Sequence, residues 1–250
     1  YSIWLATVVV SGISYLSYLL KRYVFHESGT LVSGIIGGLY SSTATISVLA
    51  RKSRKASEQE ATDYVAAMLL AVSMMFLRFM ILILIFSREI FLSIYPYLLT
   101  MAVVAAIVAW FIHSRQKRPE DQPAETEEDD SSNPLEFKVA LIFAVLFVIF
   151  TFLTHYTLVY AGTGGLNLLS FVSGFSDITP FILNLLQNTG SVAALIITAC
   201  SMQAIISNIM VNMFYALFFA GKGSKLRPWI LGGFGVVIAC NLVLLLFFYI

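Results

Sequence analysis

The stretch Gly29 to Ala50, GTLVSGIIGGLYSSTATISVLA, decides the fold, because it recurs without a gap at Gly165 to Leu186, GLNLLSFVSGFSDITPFILNLL. The alignment matches Gly29 with Gly165, Gly38 with Gly174, Thr43 with Thr179, Ile46 with Ile182 and Leu49 with Leu185. Both copies concentrate Gly, Ser and Thr at mid-segment, where a lipid-facing helix would carry Leu and Ile. Such residues suit a broken helix that lines a polar site, since a broken backbone at membrane depth is tolerated only where protein or water covers it.

The surrounding composition is that of a membrane protein. Hydrophobic residues make up 59% of the chain, charged residues 12%, and the mean hydropathy is +0.86. Such a chain takes the bilayer as its solvent. Apolar runs of membrane length lie at Ser2 to Leu20, Val65 to Phe86, Ile90 to Ile112, Phe137 to Leu158, Val192 to Ala220 and Trp229 to Ile250. The two repeated segments are ambiguous, because about 22 residues as a straight helix would also reach ~33 Å and could span.

Charge separates the two arrangements. If both repeated segments span, Lys21, Arg22, Arg88, Lys222, Lys225 and Arg227 face Arg51, Lys52, Arg54, Lys55, Arg115, Lys117, Arg118 and Lys138 across the membrane, which is no bias. If each segment enters and leaves on one side, thirteen of the fifteen basic residues share a face, with Arg88 opposite and Arg78 inside the membrane. Basic residues in short loops stay cytoplasmic, so the second arrangement is expected. The expected fold is therefore an all-α polytopic membrane protein, an inverted repeat of three transmembrane helices plus one re-entrant hairpin per half. That makes six spans and two opposed hairpins. Residues 1–114 and 137–250 form the repeats, and the polar, acidic 115–136 forms a cytoplasmic linker that reads as a solvated tether.

Within this frame the polar residues of the apolar segments become candidates. Asp177 is the one acid inside such a segment, at the tip of the second hairpin, and a carboxylate at that depth is retained for a cation, a proton or a partner. The blander reading makes it the N-cap of Ile178-Thr179-Pro180. Ser41, Ser42, Thr43 and Thr45 form the matching cluster at the first tip, where hydroxyls serve either a solute or close helix packing. Ser176 and Thr179 flank Asp177, and Arg78 on Val65 to Phe86 is matched in the second half by Asn208, with Asn212 one turn on. Arg78 either balances Asp177 or holds an anionic solute. Cys200 and Cys240 read as core residues, and His26, His113 and His155 are isolated in sequence. GxSxG, P-loop and HExxH patterns do not occur, so no enzyme and no cofactor is expected. A coupling cation or proton is, with Asp177 its candidate ligand.

The run Gly34 to Arg54, GIIGGLYSSTATISVLARKSR, resembles a signature of an uncharacterised bacterial membrane domain that is often attached to an MgtC/SapB-type domain. The second hairpin, with Gly174 and Asp177, is similar to that family's second signature, although Asn208 is followed by Asn212 where many relatives carry Lys. The resemblance implies a bacterial inner-membrane protein, an upstream MgtC/SapB-type domain in a longer chain, and a link with magnesium homeostasis. The start at Tyr1 without a basic leader fits a fragment. The expected function is a secondary transporter or ion permease for an ion or small charged solute. The alternatives are a channel of the same parts, or a non-transporting scaffold or regulator. Expected partners are lipid, the solute and a second copy as a homodimer, with no nucleic acid.

Overall fold

The computed structural model describes residues 2–19, 23, 29–54, 56, 58–115, 137–187, 192–221 and 224–249. All but the first residue of the acidic linker, together with Lys21, Arg22, His26, Lys55 and Lys222, therefore lies outside the described residues. The described elements are helices, with no strand among them: α1 (Ser2–Leu19), α2 (Thr30–Lys52), α3 (Glu58–Phe86), α4 (Arg88–Ser114), α5 (Phe137–Ser173), α6 (Ile178–Gln187), α7 (Ala194–Ala220) and α8 (Arg227–Tyr249).

Six described helical segments are long and apolar enough to cross a membrane: Thr30–Lys52, Thr62–Phe86, Arg88–Ser114, Ala144–Ser173, Ala194–Ala220 and Arg227–Phe247. The protein is thus polytopic. Burial ranks these helices, since 72% of the apolar window of α7 and 50% of that of α3 are covered, against 17–39% for the other four. The inner pair is α3 and α7. The outer helices present Trp110, Phe152, Tyr160 and Phe247, each more than half exposed, as a surface that only lipid or another apolar partner can cover.

Small residues set the closest approaches. A Cβ on Gly38 would stand 2.5 Å from the Ala71 Cα, and one on Gly34 would strike the Ala67 backbone, so this arm of α2 lies against α3 with its backbone almost in contact. Because Gly34 meets Ala67 and Gly38 meets Ala71, the arm runs parallel to α3. Gly174 meets Ser207 in the same way, Ser170 Oγ donates to Gln203 Oε1 at 2.7 Å, and Cys200 Sγ donates to Asn167 Oδ1 at 3.3 Å. The last arm of α5 is accordingly parallel to α7. Gln203 and Cys200 both serve that helix contact.

Two helices reverse within their length. Ser41 has the extended angles φ −157°, ψ 106° inside α2, and a Cβ on Gly37 would lie 2.5 Å from Thr45 Oγ1. Residues eight apart on a straight helix are separated by about 12 Å along its axis, so 42–52 folds back along 30–40. In α5, Gly162 at φ 59°, ψ −150° occupies a region open essentially to glycine alone, and a Cβ on Gly165 would lie 2.8 Å from Thr157 Cγ2. The helix 137–161 therefore doubles back directly into 163–173.

The remaining packing closes the bundle. A single residue, Ser87, separates α3 from α4, and its hydroxyl accepts from Ile90 N at 3.4 Å. Ser73 Oγ donates to the Ala102 carbonyl at 2.8 Å across the same pair. The buried Tyr97 hydroxyl donates to Asn241 Oδ1 at 2.5 Å and joins α4 to α8. At one end of the bundle His113 pairs with Asp63 at 2.7 Å, placing the start of α3 beside the end of α4. Arg54 hydrogen-bonds the carbonyls of Phe218 and Phe219, and Arg51 lies 4.4 Å from the Phe219 ring, so the end of α7 joins the same face.

Candidate site at two helix breaks

The break at Ser41 and the interruption at 174–177 between α5 and α6 each expose backbone groups that a continuous helix would satisfy. At the first, Ser41 Oγ accepts from Ala44 N at 3.4 Å and caps the arm 42–52, while the Tyr40 carbonyl is left at the end of the preceding arm. At the second, residues 174–177 form a turn in which Ser176 N and Ser176 Oγ both donate to the Ser173 carbonyl. Asp177 Oδ1 then accepts from Thr179 N at 2.9 Å, and Pro180 occupies the first turn of α6. The capping reading of Asp177 thus describes one of its oxygens. The residue is exposed, and its second oxygen makes no hydrogen bond among the described residues.

Arg78 brings the breaks together. It projects from the inner helix α3, with side chains on a helix leaning toward its N-terminus, and donates from Nη1 to the Tyr40 carbonyl at 2.8 Å and from Nη2 to Thr179 Oγ1 at 2.6 Å. Its carbon Cζ lies 5.6 Å from the Phe79 ring, and its Nε is buried without a hydrogen-bond partner among the described residues. Asp177 acts on Arg78 through space and makes no direct ion pair with it.

The inner helix α7 grips the second tip in a related way. Asn208 Nδ2 donates to the Gly174 carbonyl at 3.2 Å, and Asn212 Nδ2 donates to Asn208 Oδ1 at 3.1 Å. Both amides are buried, and Asn212 Oδ1 has no partner among the described residues. Ser207 Oγ adds a 2.6 Å bond to the Phe171 carbonyl.

The hydroxyls divide. Ser47, further along the arm, bonds back to the Thr43 carbonyl at 2.8 Å as helical serines commonly do. The hydroxyls of Ser42, Thr43 and Thr45, nearer the break, make no hydrogen bond among the described residues, although Ser42 is only 7% exposed. A purely packing role does not require uncommitted hydroxyls there. Among the sequence candidates, then, Arg78 and Thr179 touch, Ser41 adjoins the carbonyl that Arg78 holds, Ser176 serves its turn, and Asn208 and Asn212 form a separate chain on Gly174. The Tyr40 carbonyl is a site group that carries no side-chain signal in the sequence; only the helix break makes it available. Among the described residues, no three His, Cys, Asp or Glu side chains come together.

The family profile for a domain of unknown function, DUF4010, matches residues 8–220, covering most of the chain and both breaks. The chain belongs to the DUF4010 family. An uncharacterized protein of Aquifex aeolicus (strain VF5) is 24% identical over 227 residues, spanning 88% of this chain and 96% of its own length. No solved structure matches. Neither match mentions an MgtC/SapB-type domain, so that link rests on the resemblance of residues 34–54 and of the second hairpin.

Proposed function

We propose that this DUF4010 chain is a secondary transporter or ion permease built as an inverted repeat, with its site between the tips of two opposed re-entrant hairpins. The observation that carries the reading is the bridging of both helix breaks by one guanidinium, Arg78 on Tyr40 O and on Thr179 Oγ1. Broken helices meeting around a charged side chain within apolar segments form the recurring layout of solute sites in transporters.

The contacts support the repeat. Adding 136 to Gly38 and Ala71 gives Gly174 and Ser207, and adding it to Gly34 and Ala67 gives Ser170 and Gln203; all four pairs touch. In this register Arg78 is level with Phe214, and Asn208 with Val72, so Arg78 and Asn208 are not counterparts. Asp177 is level with Ser41, so both charged residues face uncharged counterparts and the site is asymmetric. Re-entrance is supported by the arms running parallel to α3 and α7 and then folding back, which returns each hairpin to the end it came from. In this reading Asp177 binds the coupling cation or proton through its free oxygen, with Ser41, Ser42, Thr43, Thr45, Asn208 and Asn212 around the tips.

The test is flux through the purified chain in proteoliposomes, with sodium and proton gradients imposed separately. Gradient-dependent flux that Asp177→Asn abolishes supports the reading. Undiminished flux in that variant, or none from folded wild type under either gradient, refutes it.

A further inference from the structure

Resting on the transporter reading, we propose that the solute held at the tips is a small oxyanion, of carboxylate or phosphate chemistry, seated against Arg78 Nε and the Thr179 hydroxyl. Two buried donors at this point lack an acceptor. Arg78 Nε carries a hydrogen and has no partner among the described residues. Thr179, fully buried, receives Arg78 Nη2 on its oxygen, so its own hydrogen is directed elsewhere, and no acceptor for it exists among the described residues.

The two donors share a side. In the planar guanidinium the Nε–H and Nη2 groups lie along one edge, the edge used for side-on recognition of carboxylate and phosphate. Here Nη2 is already bonded to Thr179, and the threonine hydroxyl extends that edge. Together Nε–H and Oγ–H offer two separate hydrogens to two oxygens of one ligand. A lone cation at this edge would meet the guanidinium charge unshielded.

Two helix starts add positive character. The arm 42–52 and the ten-residue α6 both begin at the tips, so two helix N-termini, with their partial positive charge, open onto the place where Arg78 lies. The Asp177 carboxylate does not fill the vacancy, because one oxygen is taken by Thr179 N and the group makes no ion pair with Arg78. An arginine within apolar segments that lacks a contacting counter-charge is an expensive arrangement, and an anion relieves it.

The test uses the full chain in nanodiscs at constant sodium and ionic strength, with chloride replaced stepwise by malonate or by phosphate, and thermal unfolding as readout. A saturable rise in Tm with malonate or phosphate is expected, and whichever acts identifies the source of the oxyanion. Thr179→Val should raise the half-saturating concentration roughly tenfold, the loss of one hydrogen bond to a charged group. Thr179→Ser should stay within about threefold, since it keeps the hydroxyl. A merely structural role would lower Tm at every concentration and leave half-saturation unmoved. Absence of any oxyanion response, or unchanged half-saturation in Thr179→Val, overturns the proposal. If sodium or proton flux persists with no oxyanion response, this inference fails alone. If the oxyanion binds as described and no flux occurs, the transport reading fails and the site stands.

Discussion

Arg54, just past the end of α2, donates from Nη2 to the Phe218 carbonyl at 3.2 Å and so caps the C-terminal end of α7 from the other half of the chain. The last carbonyls of a helix have no partner within it and carry partial negative charge, which a guanidinium satisfies on both counts. The contact also fixes the relative placement of two basic clusters. Residues 51–54 lie at the same end of the bundle as Phe219 and Gly221, shortly before Lys225 and Arg227 in sequence.

Cysteine labelling should reproduce that arrangement. Cysteines at Ser53 and Ser224 are expected to be protected together from impermeant reagents added outside intact cells, with one at Ser87 reactive. Opposite behaviour of Ser53 and Ser224 would refute re-entrance of the first segment.

Close packing predicts a contrast between glycines. Gly38→Val places a side chain where the Ala71 backbone lies, 2.5 Å from its Cα, and should destabilise the protein by about 1–3 kcal/mol or more. Gly12→Val, with nothing within 4 Å, should shift Tm little. Thermal melts of the two purified variants check this, and equal losses would contradict the observed approach.

The pair Asp177 and Arg78 is separable by substitution. Asparagine caps a helix about as well as aspartate, so Asp177→Asn should retain the fold within ~1 kcal/mol while losing cation-dependent flux. Adding Arg78→Gln should then restore any stability lost through the uncompensated arginine without restoring flux. Full activity in the single variant would leave Asp177 a helix cap only.

At the α4–α8 contact, Tyr97→Phe removes the hydroxyl that Asn241 Oδ1 accepts in a buried setting. The stranded amide oxygen should cost about 1–3 kcal/mol, read as a lower Tm. Tyr97→Phe combined with Asn241→Leu should recover part of it, since removing both partners is cheaper than orphaning one.

The sequence by itself determined the membrane class, the helical content and the location of both breaks. Those follow from local chemistry: apolar runs of span length, and the weak helix formers Gly38 to Thr45 and Gly174 to Pro180 in otherwise apolar segments. It also contained the N-cap at Asp177, which involves neighbours two residues apart. Length and composition could not tell a span from a hairpin in α2, because 23 residues satisfy either, and the approach of Thr45 to Gly37 is visible only in the tertiary structure. Tertiary structure alone decided that Arg78 meets Thr179, a partner 101 residues away, and not Asp177 directly. The reason is geometric: a guanidinium bonds whatever acceptor the packing of α2, α3 and α6 delivers to its edge, and a backbone carbonyl such as that of Tyr40 becomes an acceptor only once its helix has broken.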